Sequence, residues 1–147
     1  MTSNIPFITD HGAEPYALHV ADAAKRNTNY RIVQWTGKHL QLTFMSLRPG
    51  EDIGLETHPH IDQFLRVESG RGLVRMGPAQ NDLRFSAQIR EGDAVLVPAG
   101  TWHNIINTGR EPLKLSSLYG PPDHPQGEID PVHPVADAQS FAQRYHH

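Results

Sequence analysis

The sequence predicts an all-β fold, a sandwich or barrel of short strands that forms a single domain. The chain has 147 residues, a length that suits one domain. From Tyr30 onward, runs rich in Val, Ile, Leu, Thr and Phe are interrupted roughly every 8–12 residues by Gly, Pro, Asn or Asp. Twelve glycines and twelve prolines supply the turns that many short strands require.

Before the strands, the sequence predicts a short N-terminal helix over about residues 14–26. The segment Glu14–Arg26 is rich in alanine and charged residues, and Tyr16, Val20 and Ala23 or Ala24 fall on one face. This amphipathic spacing indicates a helix that packs outside the core.

The barrel core is predicted over about residues 30–120. Because side chains alternate along a strand, each run presents one face to the interior. The predicted strands are Tyr30–Thr36, Leu40–Leu47, Gln63–Val67, Gly72–Met76, Leu83–Ile89, Ala94–Val97, His103–Ile106 and Leu113–Tyr119.

A proline-rich C-terminal arm over residues 120–147 follows the barrel. Five prolines lie within Gly120–Pro134, and we expect an extended stretch without regular structure there. A last short helix is predicted over Val135–Tyr145. His124 and His133 are interpreted as exposed polar residues. We expect the arm to wrap across the barrel or a partner subunit, and to act as a lid if it covers the mouth.

Composition excludes several functional classes. The formal net charge of -3 and the absence of a basic patch argue against nucleic acid as a partner. No apolar run reaches 18 residues, so no membrane span is predicted and a cytoplasmic protein is expected. Cysteine is absent, which excludes disulfides and thiolate ligands and leaves nitrogen and oxygen donors for any metal.

One motif in the second half of the chain has glycine, proline and histidine at fixed offsets. Gly92, Pro98, Gly100, His103 and Asn107 lie in the run GDAVLVPAGTWHNIIN. The glycines and proline predict tight turns, and the histidine opens the next strand. The run resembles the second cupin motif, G-x5-P-x-G-x2-H-x3-N, at every position.

A second run, GEDIGLETHPHIDQFLRVESG, has the spacing of the first cupin motif, G-x5-H-x-H-x3,4-E-x6-G. Counting from Gly50, the motif positions fall on Glu56, His58, Gln63 and Gly70. Glutamate therefore stands where the family has its first histidine, and glutamine stands where it has glutamate.

An alternative register would use His58 and His60 as the histidine pair. It lengthens the first spacer to seven residues and places Phe64 or Leu65 at the acid position, and neither can bind a metal. The first register is preferred. His60 then lies in a turn near the barrel mouth, where it is a candidate catalytic residue that contacts the substrate or a metal ligand.

The resemblance covers about residues 40–120 and implies a type-2 cupin, a double-stranded β-helix (jelly-roll) barrel. It also implies one divalent metal ion at the centre of the barrel and a homodimer formed through N-terminal strands. The four ligand positions are Glu56, His58, Gln63 and His103. Such nitrogen and oxygen donors suit Zn, Fe, Mn, Ni or Co.

Three functions are consistent with such a site. The first is an enzyme acting on a small carbonyl or sugar-like substrate, because the phosphomannose isomerase branch also uses two His, one Glu and one Gln, with Glu and Gln in reverse order. No converging Arg or Lys for a phosphate is evident in the sequence. The second is a dioxygenase or polyketide-cyclase-like cupin. The third is a non-catalytic cupin that binds a metal or ligand. We expect an enzyme with isomerase-like chemistry.

Overall fold

Within residues 10–134, the fold consists of short antiparallel strands and one short helix. The computed structural model describes residues 10–134 of the chain. The elements in this range are α1 (Val20–Arg26), β1 (Arg31–Thr36), β2 (Gln41–Leu47), β3 (Asp62–Ser69), β4 (Arg71–Gly77), β5 (Phe85–Arg90), β6 (Ala94–Val97), β7 (Trp102–Asn107), β8 (Leu113–Gly120) and β9 (Ile129–Asp130). The predicted all-β class is confirmed, and the eight predicted strands are present with ends moved by one or two residues.

The strands form two sheets that enclose one core. The larger sheet has the order β6-β3-β8-β2-β1-β9, and the smaller sheet has the order β5-β4-β7. The loop after β2 extends the smaller sheet, because Asp52 pairs with Ile106 and Glu56 pairs with His103 on β7. Buried apolar side chains from both sheets make a single cluster, so the sheets pack face to face as a jelly-roll barrel.

The interior face of the larger sheet is apolar at one end and polar at the other. Leu115 and Met45 face each other at the apolar end, where both are buried. At the other end, a row of buried polar side chains crosses three neighbouring strands: Gln63, Tyr119 and Gln41. A buried polar row needs hydrogen-bond partners or a ligand. The row includes one of the predicted metal ligands.

The predicted N-terminal helix is present, but it begins at Val20 rather than near residue 14. His19 is its N-cap, and the ring nitrogen Nδ1 accepts a hydrogen bond from Asp22 N at 3.2 Å. The preceding segment is held in an extended conformation on β1, because Trp35 Nε1 donates to the carbonyl oxygen of Glu14 at 2.8 Å. This tertiary contact outweighs the helical pattern of residues 14–19.

Helix α1 packs on the outer face of the larger sheet, against β3 and β8. Ala24 is fully buried there, and so is Phe44, which alternates with the inward-facing Met45. The helix has 7 residues, and no helix within residues 10–134 has the length and apolar character to cross a bilayer. The helix therefore covers the outside of the sheet and leaves the interior to the strands.

The C-terminal arm is attached along the barrel. Ile129–Asp130 form β9, which pairs antiparallel with β1. The expectation of no regular structure in the proline-rich stretch is wrong at these two positions, because neither is a proline and both keep a backbone N–H. His133 is buried, and its Nε2 lies 2.8 Å from the carbonyl oxygen of Asp52, so it is not an exposed residue. The predicted helix Val135–Tyr145 lies outside the described residues.

Candidate metal centre

The loop after β2 brings Glu56 beside His103 on β7. The two residues exchange backbone hydrogen bonds, Glu56 N to His103 O at 3.1 Å and His103 N to Glu56 O at 2.9 Å. The turn before β7 is tied to the same loop, because Gly100 N donates to the carbonyl oxygen of His58 at 2.9 Å. Gly100 has a φ of 82°, a conformation that other residues adopt only with strain. These backbone bonds bring three predicted ligands to one place.

Glu56, His58 and His103 form a cluster whose potential ligand atoms all lie within 4.8 Å of one another. His58 Nε2 lies 3.3 Å from Glu56 Oε2, and His103 Nε2 lies 3.9 Å from the same oxygen. His103 is fully buried, whereas the other two are partly exposed. This is the spacing that one metal ion shared by three side chains requires.

The lone pairs of the two histidines are free to bind a metal. His58 Nε2 and His103 Nε2 are buried and have no hydrogen-bond partner. At the other side of the His103 ring, Nδ1 lies 3.0 Å from the carbonyl oxygen of Thr101. A carbonyl only accepts, so Nδ1 carries the proton and Nε2 keeps its lone pair. Buried acceptors without a partner are costly, and a divalent cation between them would remove that cost.

Gln63 lies on the inner face of β3 and is buried. Its amide nitrogen donates to Ser117 Oγ at 2.9 Å, while its amide oxygen Oε1 is buried without a hydrogen-bond partner. The strand partner of Gln63 is Tyr119, whose ring lies 5.9 Å from the His58 ring. Gln63 therefore offers a free oxygen at the polar end of the barrel, and its role as the fourth ligand stays a prediction.

The charges in the cluster suit a cation. Burial disfavours ionised Glu56, but the contact with His58 at 3.3 Å and the charges of His58 and His103 hold the pKa of this carboxyl below its ordinary value. Glu56 raises the pKa of His58 through the same contact, against the effect of burial. Burial lowers the pKa of His103, which is therefore neutral, as a metal ligand must be.

His60 is exposed in the turn before β3, two residues after His58. It is not part of the cluster of potential ligands. The register that pairs His58 with Glu56 therefore agrees with the geometry. The predicted catalytic role of His60 stays a prediction.

The arm contributes a carboxylate that the sequence did not single out. Asp123 Oδ1 lies 3.7 Å from His58 Nδ1, on the opposite side of the ring from the free Nε2. The backbone N–H groups of Asp123 and His124 donate to Gln41 Oε1 at 3.0 and 2.8 Å, and Gln41 Nε2 donates to the carbonyl oxygen of His124 at 2.7 Å. A carboxylate behind a ligating histidine orients the ring and raises its basicity.

Two further side chains extend this polar end, Tyr119 and His124. His124 Nε2 lies 3.3 Å from the hydroxyl oxygen of Tyr119, and His124 Nδ1 lies 3.5 Å from Glu128 Oε2. The interpretation of His124 as an exposed residue is wrong, because its side chain is mostly covered by these neighbours. Only the alternation of β8 could have indicated Tyr119 beforehand, and no local pattern could have indicated His124.

The family comparison agrees with the fold and the cluster. The Cupin domain family (Cupin_2) matches residues 43–119, which include all four predicted ligands. The chain belongs to the cupin family. The predicted double-stranded β-helix is thereby confirmed.

Relatives of this cupin occur in bacteria and in a virus. It is 52% identical over 122 residues to the uncharacterized protein YrkC of Bacillus subtilis, covering 83% of this chain and 66% of that protein. It is 42% identical over 116 residues to an uncharacterized protein of Acanthamoeba polyphaga mimivirus, covering 78% and 71%. It is also similar to the crystal structure of BH2720 from Bacillus halodurans, with a TM-score of 0.86, 54% identity and coverage of 89% and 99%. The chain thus spans just under two thirds of the length of YrkC.

Proposed function

We propose that this cupin is a metal-dependent enzyme that acts on a small carbonyl or sugar-like substrate, with isomerase-like chemistry. One observation carries the proposal. The buried atoms that lack a hydrogen-bond partner within residues 10–134 include His58 Nε2, His103 Nε2 and Gln63 Oε1, and the two histidine nitrogens flank the carboxylate of Glu56. Such a set costs stability unless it holds a cation.

The donor set supports an active rather than a closed site. Two imidazoles, one carboxylate and one neutral amide leave net positive charge on a divalent ion and one or two positions for substrate. A metal held there would supply Lewis acidity that polarises a carbonyl or hydroxyl oxygen. The phosphomannose isomerase branch uses the same residue types, which is why isomerase-like chemistry is preferred.

The chain also offers groups that can hold or move a proton beside the substrate. Burial raises the pKa of Tyr119, so its hydroxyl remains protonated at neutral pH. Burial and the charge of Arg31 lower the pKa of His124, so the ring is neutral at neutral pH and Nε2 can accept a hydrogen bond from that hydroxyl. We assign the Tyr119 hydroxyl to accepting a hydrogen bond from a substrate hydroxyl, while its own proton is donated to His124 Nε2 and Glu128 lies behind the ring.

The first test is the metal content of untagged protein, measured by elemental analysis. Wild type is expected to carry about one divalent ion per chain, as a single metal site predicts. His103→Ala and Glu56→Ala should lose it, whereas the control His39→Ala, which removes an exposed histidine, should keep it. His60→Ala tests the alternative register, and loss of metal from that variant would overturn the ligand assignment.

The identity of the metal then separates the functional classes. Zinc, manganese, cobalt or nickel would support carbonyl chemistry, to be tested by aldose–ketose interconversion with solvent deuterium incorporation. Iron or copper, with oxygen uptake on chelating diols or diketones, would instead support a dioxygenase. A wild type that carries no metal and takes none up would contradict the proposal and leave a non-catalytic binding cupin.

A further inference from the structure

Arg31 is a buried cation inside the barrel that the sequence did not single out. On β1 it pairs with Met45, which faces the core, so the Arg31 side chain also faces inward. Its side chain is 12% exposed. Arginine is rarely this buried unless it is paired.

The guanidinium is weakly paired. Its Nε is buried without a hydrogen-bond partner, and its one ion-pair contact within residues 10–134 is Nη1 to Asp130 Oδ2 at 3.9 Å. That distance exceeds a hydrogen bond, and the Asp130 side chain is 39% exposed. The guanidinium carbon also lies 5.2 Å from the centre of the Tyr30 ring. A guanidinium has five donors in a planar fork, and here no acceptor in residues 10–134 is within hydrogen-bond distance of them.

Tyr30 connects Arg31 to the loop that carries Glu56. The hydroxyl of Tyr30, over whose ring Arg31 lies, donates to the carbonyl oxygen of Ile53 at 3.2 Å. Ile53 is three residues before Glu56 on the same loop. Burial and the contact with His58 are the larger influences on the pKa of Glu56, and the positive charge of Arg31 also lowers it. The same charge partly offsets the rise that burial causes in the pKa of Tyr119.

We propose that Arg31 binds a carboxylate group of the substrate while an adjacent carbonyl or hydroxyl oxygen of the same molecule reaches the metal centre. The proposal rests on the proposed function and names its substrate class, a small 2-oxo or 2-hydroxy acid. The planar fork of arginine matches a carboxylate in bidentate geometry.

A carboxylate fits the local charge better than a phosphate does. Four carboxylates already lie beside Arg31 or the histidines of the site, those of Glu56, Asp123, Glu128 and Asp130. A single guanidinium can compensate one further negative charge, whereas a dianionic phosphate would be repelled by its acidic neighbours.

The test compares two probes of similar size, pyruvate and hydroxyacetone, which differ in having a carboxylate or a hydroxymethyl group. Their affinities for the purified full-length protein are measured by calorimetry, with and without added zinc. Wild type should bind pyruvate at least about tenfold more tightly than hydroxyacetone, the effect expected of charge-assisted hydrogen bonds. Arg31→Met should remove this preference, Arg31→Lys should keep part of it, and the control Arg84→Met, at an exposed arginine paired with Asp82, should keep all of it.

A second variant keeps the test decisive if Arg31→Met does not fold. Asp130→Asn removes the carboxylate that competes for the guanidinium, and should strengthen pyruvate binding several-fold. Equal preference for pyruvate in wild type and Arg31→Met would overturn the proposal. Dihydroxyacetone phosphate bound more tightly than pyruvate, again through Arg31, would overturn the carboxylate assignment. A wild type without metal would overturn the proposed function, whereas an Arg31-dependent preference for pyruvate would still support this site.

Discussion

Ser117→Ala should weaken metal binding through a residue that does not touch the metal. Ser117 lies on the inner face of β8, and its hydroxyl is the partner of the Gln63 amide nitrogen at 2.9 Å. Without the hydroxyl, the amide loses the contact that turns its oxygen toward the centre. Residues that orient metal ligands typically change affinity about 10- to 100-fold when they are mutated, and we expect about tenfold here because Gln63 is only one of the four predicted ligands.

The adjacent serine provides a matched control. Ser116 faces the opposite side of β8 and donates to Glu68 Oε2 at 2.6 Å, beneath α1. Each serine-to-alanine change leaves a buried polar atom without one partner and should lower the free energy of unfolding of the metal-free protein by about 1–3 kcal/mol. Only Ser117→Ala should also lower metal affinity, so saturating metal should stabilise it by about 1.4 kcal/mol less than it stabilises wild type.

Denaturant unfolding in chelator and in saturating zinc measures both effects, and competition with a chromophoric chelator gives the affinity directly. The reasoning is refuted if Ser117→Ala is destabilised but binds zinc as wild type does. It is also refuted if both variants lose affinity equally, since the effect would then be one of general stability.

Three further predictions concern charge, the arm and assembly. In metal-free protein, the raised pKa of His58 contributes stability that is fully present below its unfolded pKa of 6.5, and this contribution is lost as pH rises through the folded pKa. The lowered pKa of Glu56 contributes stability that is present above its unfolded pKa of 4.5, and this contribution is lost as pH falls through the folded pKa. Thermal unfolding in chelator should therefore show the combined contribution of both groups to stability between pH 4.5 and 6.5, and Glu56→Gln should show none. Stabilisation by added zinc should instead grow with pH, because the metal competes with the His58 proton. Asp123→Asn should lower zinc affinity by up to about tenfold while metal content stays stoichiometric, and an unchanged chelator titration would contradict a role behind His58. The homodimer through N-terminal strands stays a prediction, but the structure exposes an apolar row elsewhere, on the outer face of β3 and β6, where Leu96 is 66% and Phe64 is 36% exposed. We expect a second copy to dock on this row, so Phe64→Glu should convert dimer to monomer in sedimentation equilibrium, and a wild-type monomer would refute it.

Much of the fold could be predicted because its signals are local. Strand boundaries follow from alternation and from turn residues, and both lie within a few positions of the elements they delimit. Helix α1 shows where that reasoning fails. The helical pattern of residues 14–19 was real, but the contact between Trp35 and Glu14 holds that segment on β1. The strand in the arm was missed for a similar reason, because two residues form β9 only where β1 offers a free edge.

By itself, the sequence determined the cupin fold and the grouping of Glu56, His58 and His103, because turn glycines and ligand spacing are encoded over short stretches. Only the tertiary structure decided what surrounds that group. Asp123 reaches His58 from the arm, and Arg31 faces the barrel interior from the first strand, 92 positions earlier in the chain. No spacing rule relates such distant residues, because barrel closure and the docking of the arm, rather than local backbone geometry, bring them together.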